Sequence, residues 1–288
     1  MNMKTEEQFD LIILGSGSTG FAAALRAEEY GARVLMIEKS AMGGTCINWG
    51  CVPSKTLIHA ALFAHEARLA GVVGIPFTEG EIDHERLAQH KLEVVRGLRK
   101  AKYMDILTAI PGLSLVKGTA RIVGPGEVAV GEAVFRSDRI LIATGGAPRV
   151  PVLKGLQETD WMTSREALLL KRLPRSVVVI GGGVIAVELG QMFRRLGTSV
   201  TLVERGEMIL PSVEREPVRE LTGALLEEGV EVVTGAAVCR AFRSGEESCV
   251  EALVGGETRV LSAEKLLLAV GTAPATAGLG LENVGVDL

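Results

Sequence analysis

Leu11-Ile12-Ile13-Leu14-Gly15-Ser16-Gly17-Ser18-Thr19-Gly20, continued by FAAALRAEEYGARVLMIE over residues 21–38, is the stretch that decides the fold. A four-residue apolar run meets a glycine-rich turn. Phe21, Ala24 and Leu25 then fall on one face at helical spacing, and Gly31 closes the segment. A second apolar run, Val34 to Ile37, ends on Glu38. Strand, turn, helix and strand make a βαβ unit. A dinucleotide pyrophosphate needs unhindered backbone N–H groups and a helix N-terminus aimed at it. Gly15 permits the tight turn, Gly17 lets a phosphate approach the backbone beside Ser18, and Gly20 lets helix rest on strand. Glu38 is placed to accept the ribose hydroxyls of an adenosine. Glycines at this spacing are a weak signal alone and a strong one with strand, helix and acid in register.

The pattern returns at Ser176. Val177 to Ile180 read as a strand, Gly181-Gly182-Gly183-Val184-Ile185-Ala186 as the turn, and Val187, Met192, Phe193 and Leu196 as helix, stopped by Gly197. Val200 to Val203 lead into Glu204, and in both copies the acid stands 23 positions after the first glycine. Ala186 replaces the third glycine, as this fingerprint tolerates. Glu204 favours NAD slightly, since a carboxylate bonds a 2′-hydroxyl and repels a 2′-phosphate; the adjacent Arg205 keeps NADP open. The chain is thus expected to be α/β, with two Rossmann-like dinucleotide-binding domains. A boundary near Pro148–Pro151 gives residues 1–149 and 150–271. Between the copies we expect an amphipathic helix from about Cys51 to Leu69, a helical pattern from Glu85 to Leu107 and a β region from Leu113 to Val134. A strand from Arg139 to Ala143 then runs into Thr144-Gly145, matched by Leu266 to Gly271.

At 288 residues, 47% hydrophobic and 23% charged, the composition is that of a globular protein with a large core. The net charge of −4, without blocks of like charge, argues against nucleic acid or an anionic membrane as partner. No apolar stretch approaches the ~20 residues of a membrane span. Met1 to Asp10 carry no apolar run of a secretory signal, so the expected location is cytoplasmic. Four cysteines are too few for a disulfide scaffold. No metal-ligand spacing involves His59, His65, His84 or His90, and Cys239 and Cys249 read as structural.

The other decisive stretch is GGTCINWGCVPSK, residues 43–55, with Cys46 and Cys51 five positions apart. On a regular helix such residues point about 140° apart, which would strain a disulfide. Asn48 and Gly50 are expected to relieve this by tolerating irregular backbone, and Pro53 suits the first turn of the following helix. Cys51 then stands at a helix N-terminus, where the dipole stabilises a thiolate. Alone the spacing would fit reduced core cysteines or half a metal site; beside a dinucleotide turn it reads as a redox pair.

These motifs resemble those of the pyridine nucleotide–disulfide oxidoreductases, over nearly the whole chain. AKYMDIL (101–107), WMTSREAL (161–168) and GVIAVELGQMFRRLG (183–197) are most similar to the mercuric reductases of that family, with the dihydrolipoyl dehydrogenases second. The resemblance implies FAD and NAD(P)H as cofactors, electrons passing through FAD to Cys46 and Cys51, and a small-molecule disulfide or Hg(II) as substrate. It implies that Lys55 pairs with Glu188, that Lys39, Gly44, Thr45, Gly118, Ala120, Thr144 and Gly145 line the FAD site, and that Gly183, Val184, Ile185, Val238 and Gly271 line the nicotinamide nucleotide site. Residues 272–288 would begin a return to the FAD domain. The family's C-terminal dimerisation domain, through which a full-length form would be a homodimer, is expected to be absent; without its groups an inactive nucleotide-binding fragment is the alternative to an enzyme. Thr272 and Ala275 depart from the Arg and Asn common in the family.

Overall fold

The computed structural model describes residues 7–76 and 80–287. By its internal contacts the chain divides into two units, one of residues 1–52, 93–147 and 274–288, the other of residues 53–92 and 148–273.

In the first unit a parallel sheet runs in the order Leu113–Lys117, Val34–Glu38, Leu11–Leu14, Ile140–Ile142. Its two central strands are near-continuous apolar runs because both faces are covered. On one face the Ser18–Glu28 helix packs Phe21 and Ala24 over Ile13, Met36 and Leu107. On the other, Ile12, Leu14, Leu35 and Ile37 meet Ile122 and Val128 of a second, four-stranded sheet. The final segment is tied to this unit as well: Ile122 N–H donates to the Leu279 carbonyl (2.7 Å), and Leu279 and Leu281 enter the same core.

In the second unit five parallel strands run in the order Trp161–Thr163, Lys265–Leu268, Ser176–Ile180, Ser199–Val203, Glu231–Val233. The Val184–Arg195 and Arg215–Glu227 helices cover one face with Met192, Phe193, Val218 and Leu225. A three-stranded antiparallel sheet, Ala236–Ser244, Glu247–Val254 and Glu257–Ala263, covers the other. The two units repeat one register. Leu11 pairs with Val34 and Ser176 with Ser199, so each glycine turn leaves its strand at an equivalent place.

Some expectations need correction. Residues 53–92, placed by sequence in the first domain, pack with the second unit, where Leu57 and Ala61 join its core. Their helix, Cys51–Val72, is not amphipathic along its length. Pro53, Ser54, Leu57 and Ala61 are buried, whereas Phe63, Leu69 and Val72 are exposed. Only the first half meets a core, and apolar residues after Ala61 follow no single face. The expected pattern from Glu85 to Leu107 is the His84–Arg99 helix, a π-helical turn at Lys100–Met104 and a last turn, Asp105–Leu107.

Candidate functional site

The first glycine turn is held by contacts that no side chain could share. Gly15 has φ +109°, and a Cβ there would come within 3.0 Å of the Ala143 carbonyl, closer than real Cβ atoms stand. A Cβ on Gly20 would collide equally with the Gly15 carbonyl. Gly17 caps the Ser18–Glu28 helix without a side chain, leaving its N-terminus open to an anion. Gly44, at φ +65°, lies so near Gly17 that an added Cβ would stand 2.5 Å from its Cα. Thr45 Oγ1 would be 3.9 Å from a Cβ on Gly145, and Thr144 adjoins Gly15. Gly15, Gly17, Ser18, Gly20, Gly44, Thr45, Thr144 and Gly145 therefore gather beyond the carboxyl ends of the parallel strands, where open α/β sheets take ligands.

Glu38 closes this turn from the next strand. Its Oε2 accepts from Ser16 N–H (3.0 Å) and Ser16 Oγ–H (2.7 Å), its Oε1 from Ser40 N–H (2.9 Å) and Ser40 Oγ–H (3.1 Å). Burial alone would raise its pKa; these four bonds outweigh burial and hold it below the ordinary glutamate range. Gly118 N–H donates to the Glu38 carbonyl (3.0 Å). Ala120 spends its side chain in the core, and Lys39 is exposed beside Glu38.

The second turn repeats this plan with fewer hydroxyls. Gly181, at φ +117°, is crowded by the Ala269 carbonyl as Gly15 is by that of Ala143. Gly183 caps the Val184–Arg195 helix without a side chain, and a Cβ there would meet nothing within 4 Å. Val184 and Ile185 are exposed at the helix start, while Ala186 is fully buried. Glu204 accepts from Gly182 N–H (2.6 Å) and Gly206 N–H (2.7 Å). Arg205 is exposed. Gly271 has φ +104°, and its carbonyl accepts from Arg149 N–H (2.9 Å). Val238 lies in the Ala236–Ser244 strand, partly buried against the core.

Cys46 sits in the short Gly44–Trp49 helix and Cys51 opens the Cys51–Val72 helix. The break between them is Gly50, at φ −129° and ψ −116°. A Cβ on Gly50 would lie 3.0 Å from the Thr45 carbonyl and 3.2 Å from Cys46 Cα, so the chain doubles back hard against Cys46. Both residues are exposed thiols, and their sulfurs are within hydrogen-bonding reach. Burial, then the bond to Cys51 and its charge, push the Cys46 thiol up. Asn48 does not supply the irregular backbone expected of it; it is helical and buried. Its Nδ2 donates to the carbonyls of Ala41 (3.3 Å), Met42 (2.9 Å) and Gly44 (2.8 Å), and its Oδ1 accepts from Arg99 (3.1 Å). The side chain staples the loop that enters the redox helix.

In the second unit Lys55 Nζ donates to Glu188 Oε1 at 2.5 Å, the pairing expected from the resemblance. Cys249 is buried, as a structural residue should be, but Cys239 is exposed at a register shift in its strand. Among the described residues no group of three or more His, Cys, Asp or Glu could hold a metal, and no helix is long and apolar enough to cross a membrane. Sequence reasoning missed Ser16 and Ser40. They stand between the first two glycines and two residues after the acid, where no spacing marks them.

The chain is 40% identical over 282 residues to a mercuric reductase of Lysinibacillus sphaericus, covering 98% of this chain and 52% of that one. It is 37% identical over 297 residues to a dihydrolipoyl dehydrogenase of Thermus scotoductus, covering 99% and 61%. Among solved structures, the HOCl-induced flavoprotein disulfide reductase RclA from Escherichia coli superposes with a TM-score of 0.85 at 32% identity, over 97% of this chain and 60% of that one. The chain thus spans about half to three-fifths of the length of these relatives. The family model of the pyridine nucleotide-disulphide oxidoreductases, whose members use FAD and NAD(P)H, matches residues 9–288, and the chain belongs to that family.

Proposed function

We propose that the chain is the FAD- and NAD(P)H-binding part of a mercuric reductase-like oxidoreductase, in which Cys46 and Cys51 exchange electrons with substrate. The observation that carries this reading is the chain doubling back at Gly50 against Cys46, which brings the two exposed cysteines together in the unit that also holds the first glycine turn. The residues present fit both cofactors: each turn has an open helix N-terminus, a glycine where a side chain would fill the approach, and an acid for a ribose. When bound, the nicotinamide and flavin supply hydride and two-electron chemistry, while the protein binds and orients them.

The chain's own part is thiol chemistry. The thiolate of Cys46 attacks a substrate sulfur, and a first substrate thiolate leaves. Cys51 then attacks the Cys46 sulfur, closing the Cys46–Cys51 disulfide and expelling the second. Toward Hg(II), the pair offers two soft sulfur donors. Cys51 suits the inner role because it opens a 22-residue helix whose N-terminus favours an anion. Lys55, four residues on in that helix, is oriented by Glu188. We place the protein in the cytoplasm, and the full-length form as a homodimer.

The test is made on the purified chain supplied with FAD. Flavin binding with NAD(P)H oxidation stimulated by Hg(II), lost in Cys46→Ser and Cys51→Ser, is expected. The Thermus relative supports dihydrolipoyl dehydrogenase as a second reading; NAD reduction by dihydrolipoamide, without a response to Hg(II), would select it. A chain that binds no flavin would overturn both.

A further inference from the structure

Leu210 follows the acid of the second glycine turn by six positions and lies in the same unit. Its φ is +49°, and among the described residues it is the one non-glycine residue with positive φ. Left-handed backbone crowds the Cβ of any residue but glycine. Strain of this kind is kept only where the surrounding structure imposes it, and it gathers at functional sites. Neighbours in an extended strand face opposite ways, yet Ile209 is buried in the core of the second unit and Leu210 packs against that same core. The left-handed residue lets both do so. Pro211 then starts a turn, in which Val213 N–H donates to the Leu210 carbonyl (2.9 Å).

This geometry delivers the Leu210 N–H to the carbonyl of Gly182 (2.8 Å). Glu204 already holds the preceding peptide, through Gly182 N–H (2.6 Å). Two consecutive peptides of the glycine turn are thus clamped from residues 204–210. No peptide bond among the described residues is cis, and the C=O and N–H of a trans peptide point opposite ways. With the Gly182 carbonyl drawn to Leu210, the Gly183 N–H of the same peptide faces the other side. Gly182 is buried and Gly183 half-buried, and the Gly183 N–H donates to no described residue. Gly183 also caps the Val184–Arg195 helix. We infer that Leu210 is a positioning residue for the nicotinamide dinucleotide: its left-handed backbone holds the 182–183 peptide so that the Gly183 N–H is presented to a pyrophosphate. The inference rests on the reading of this turn as a dinucleotide site, and it assigns the effect to the backbone of Leu210 and not to its side chain.

The test is calorimetric titration of the full chain with NADH and with NADPH, beside hydrogen exchange of the residue-210 amide. Leu210→Gly keeps the N–H, adopts φ +49° freely and loses the packing. Leu210→Val keeps most of the packing, but a β-branched residue resists that backbone. Affinity should stay within about twofold in Leu210→Gly and fall roughly five- to tenfold in Leu210→Val, the size of one misplaced hydrogen bond to a charged group. Exchange of the 210 amide should quicken in Leu210→Val alone. A side chain acting through packing predicts the reverse order, with Leu210→Gly the weaker binder, and that order would overturn the inference. Equal affinity in all three chains would do the same. An unsubstituted chain that binds neither nucleotide would sink the dinucleotide reading itself, and this inference with it.

Discussion

Gly20 and Ala186 occupy the same place in two copies of one turn, and exchanging their side chains should have unequal consequences. In Gly20→Ala the new methyl would fall inside 3.0 Å of the Gly15 carbonyl and 3.1 Å from Ile13 Cγ2. Neither neighbour can yield easily: one is backbone of the tight turn, the other a fully buried side chain. The helix must back away from its strand by roughly 1 Å, and overpacking of this kind costs about 1–3 kcal/mol. Alanine returns up to ~1 kcal/mol of helix propensity, and less in a first turn. A net loss of about 2 kcal/mol is expected, with at least a tenfold loss of FAD affinity as the helix N-terminus moves. Ala186→Gly vacates a buried methyl site instead, at about 1–2 kcal/mol from lost burial and propensity together. The helix has no reason to move, so NAD(P)H affinity should stay within about twofold. Since two units need not unfold as one, hydrogen exchange of residues 11–38 and 176–203 is the proper stability readout, with calorimetry for the cofactors. Gly20→Ala with native protection in 11–38 and unchanged FAD affinity would refute the packing argument.

Three further outcomes are expected at the site. Because bonds from Ser16 and Ser40 hold the folded Glu38 pKa below its unfolded value, its stabilisation is fully present above the ordinary glutamate range and drains as pH falls through the folded pKa; acid unfolding of the first unit should be flatter with pH in Glu38→Gln, and an equally steep profile would dismiss that account. Lys55 and Glu188 are 57% and 37% exposed, so their ion pair is worth at most ~1 kcal/mol of stability; Lys55→Met should shift the melting temperature little yet lower reductase activity more than tenfold, and a parallel loss of both would make the pair merely structural. Asn48→Ala removes the donors to three loop carbonyls and the acceptor for Arg99, and should cost about 2–3 kcal/mol and speed exchange in residues 41–46; unaltered exchange there would rule out the staple.

Much of this was legible because glycine placement and apolar runs are local signals. Gly15 and Gly181 mark turns that admit no Cβ, and the runs at 11–14 and 176–180 mark strands covered on both faces. The cysteine pair was legible for the same reason: Gly50 stands where the backbone must double back on Cys46. What escaped depends on tertiary partners. Asn48 looked like a backbone device, yet its role is set by carbonyls at 41, 42 and 44 and by Arg99, far along the chain. The membership of residues 53–92 escaped as well, since Leu57 and Ala61 cannot announce which of two cores they enter.

The two acids show how one turn was tuned twice. Glu38 and Glu204 each clamp an amide 22 residues earlier, Ser16 or Gly182, and another two residues later, Ser40 or Gly206. Each carboxylate therefore organises its own turn before any ribose arrives. At 182 the glycine is required, because a Cβ would stand 2.8 Å from Glu204 Cβ. With glycines at 182 and 206, Glu204 keeps lone pairs for ribose hydroxyls. With serines at 16 and 40, Glu38 has four donors on its two oxygens, so a ribose hydroxyl would have to exchange with a serine hydroxyl, one bond for another. Ser16 Oγ is also the acceptor for Gly43 N–H (3.2 Å), at the entrance to the Cys46 helix. Ser16 Oγ thus ties Glu38 to the loop that enters the Cys46 helix, within a single unit.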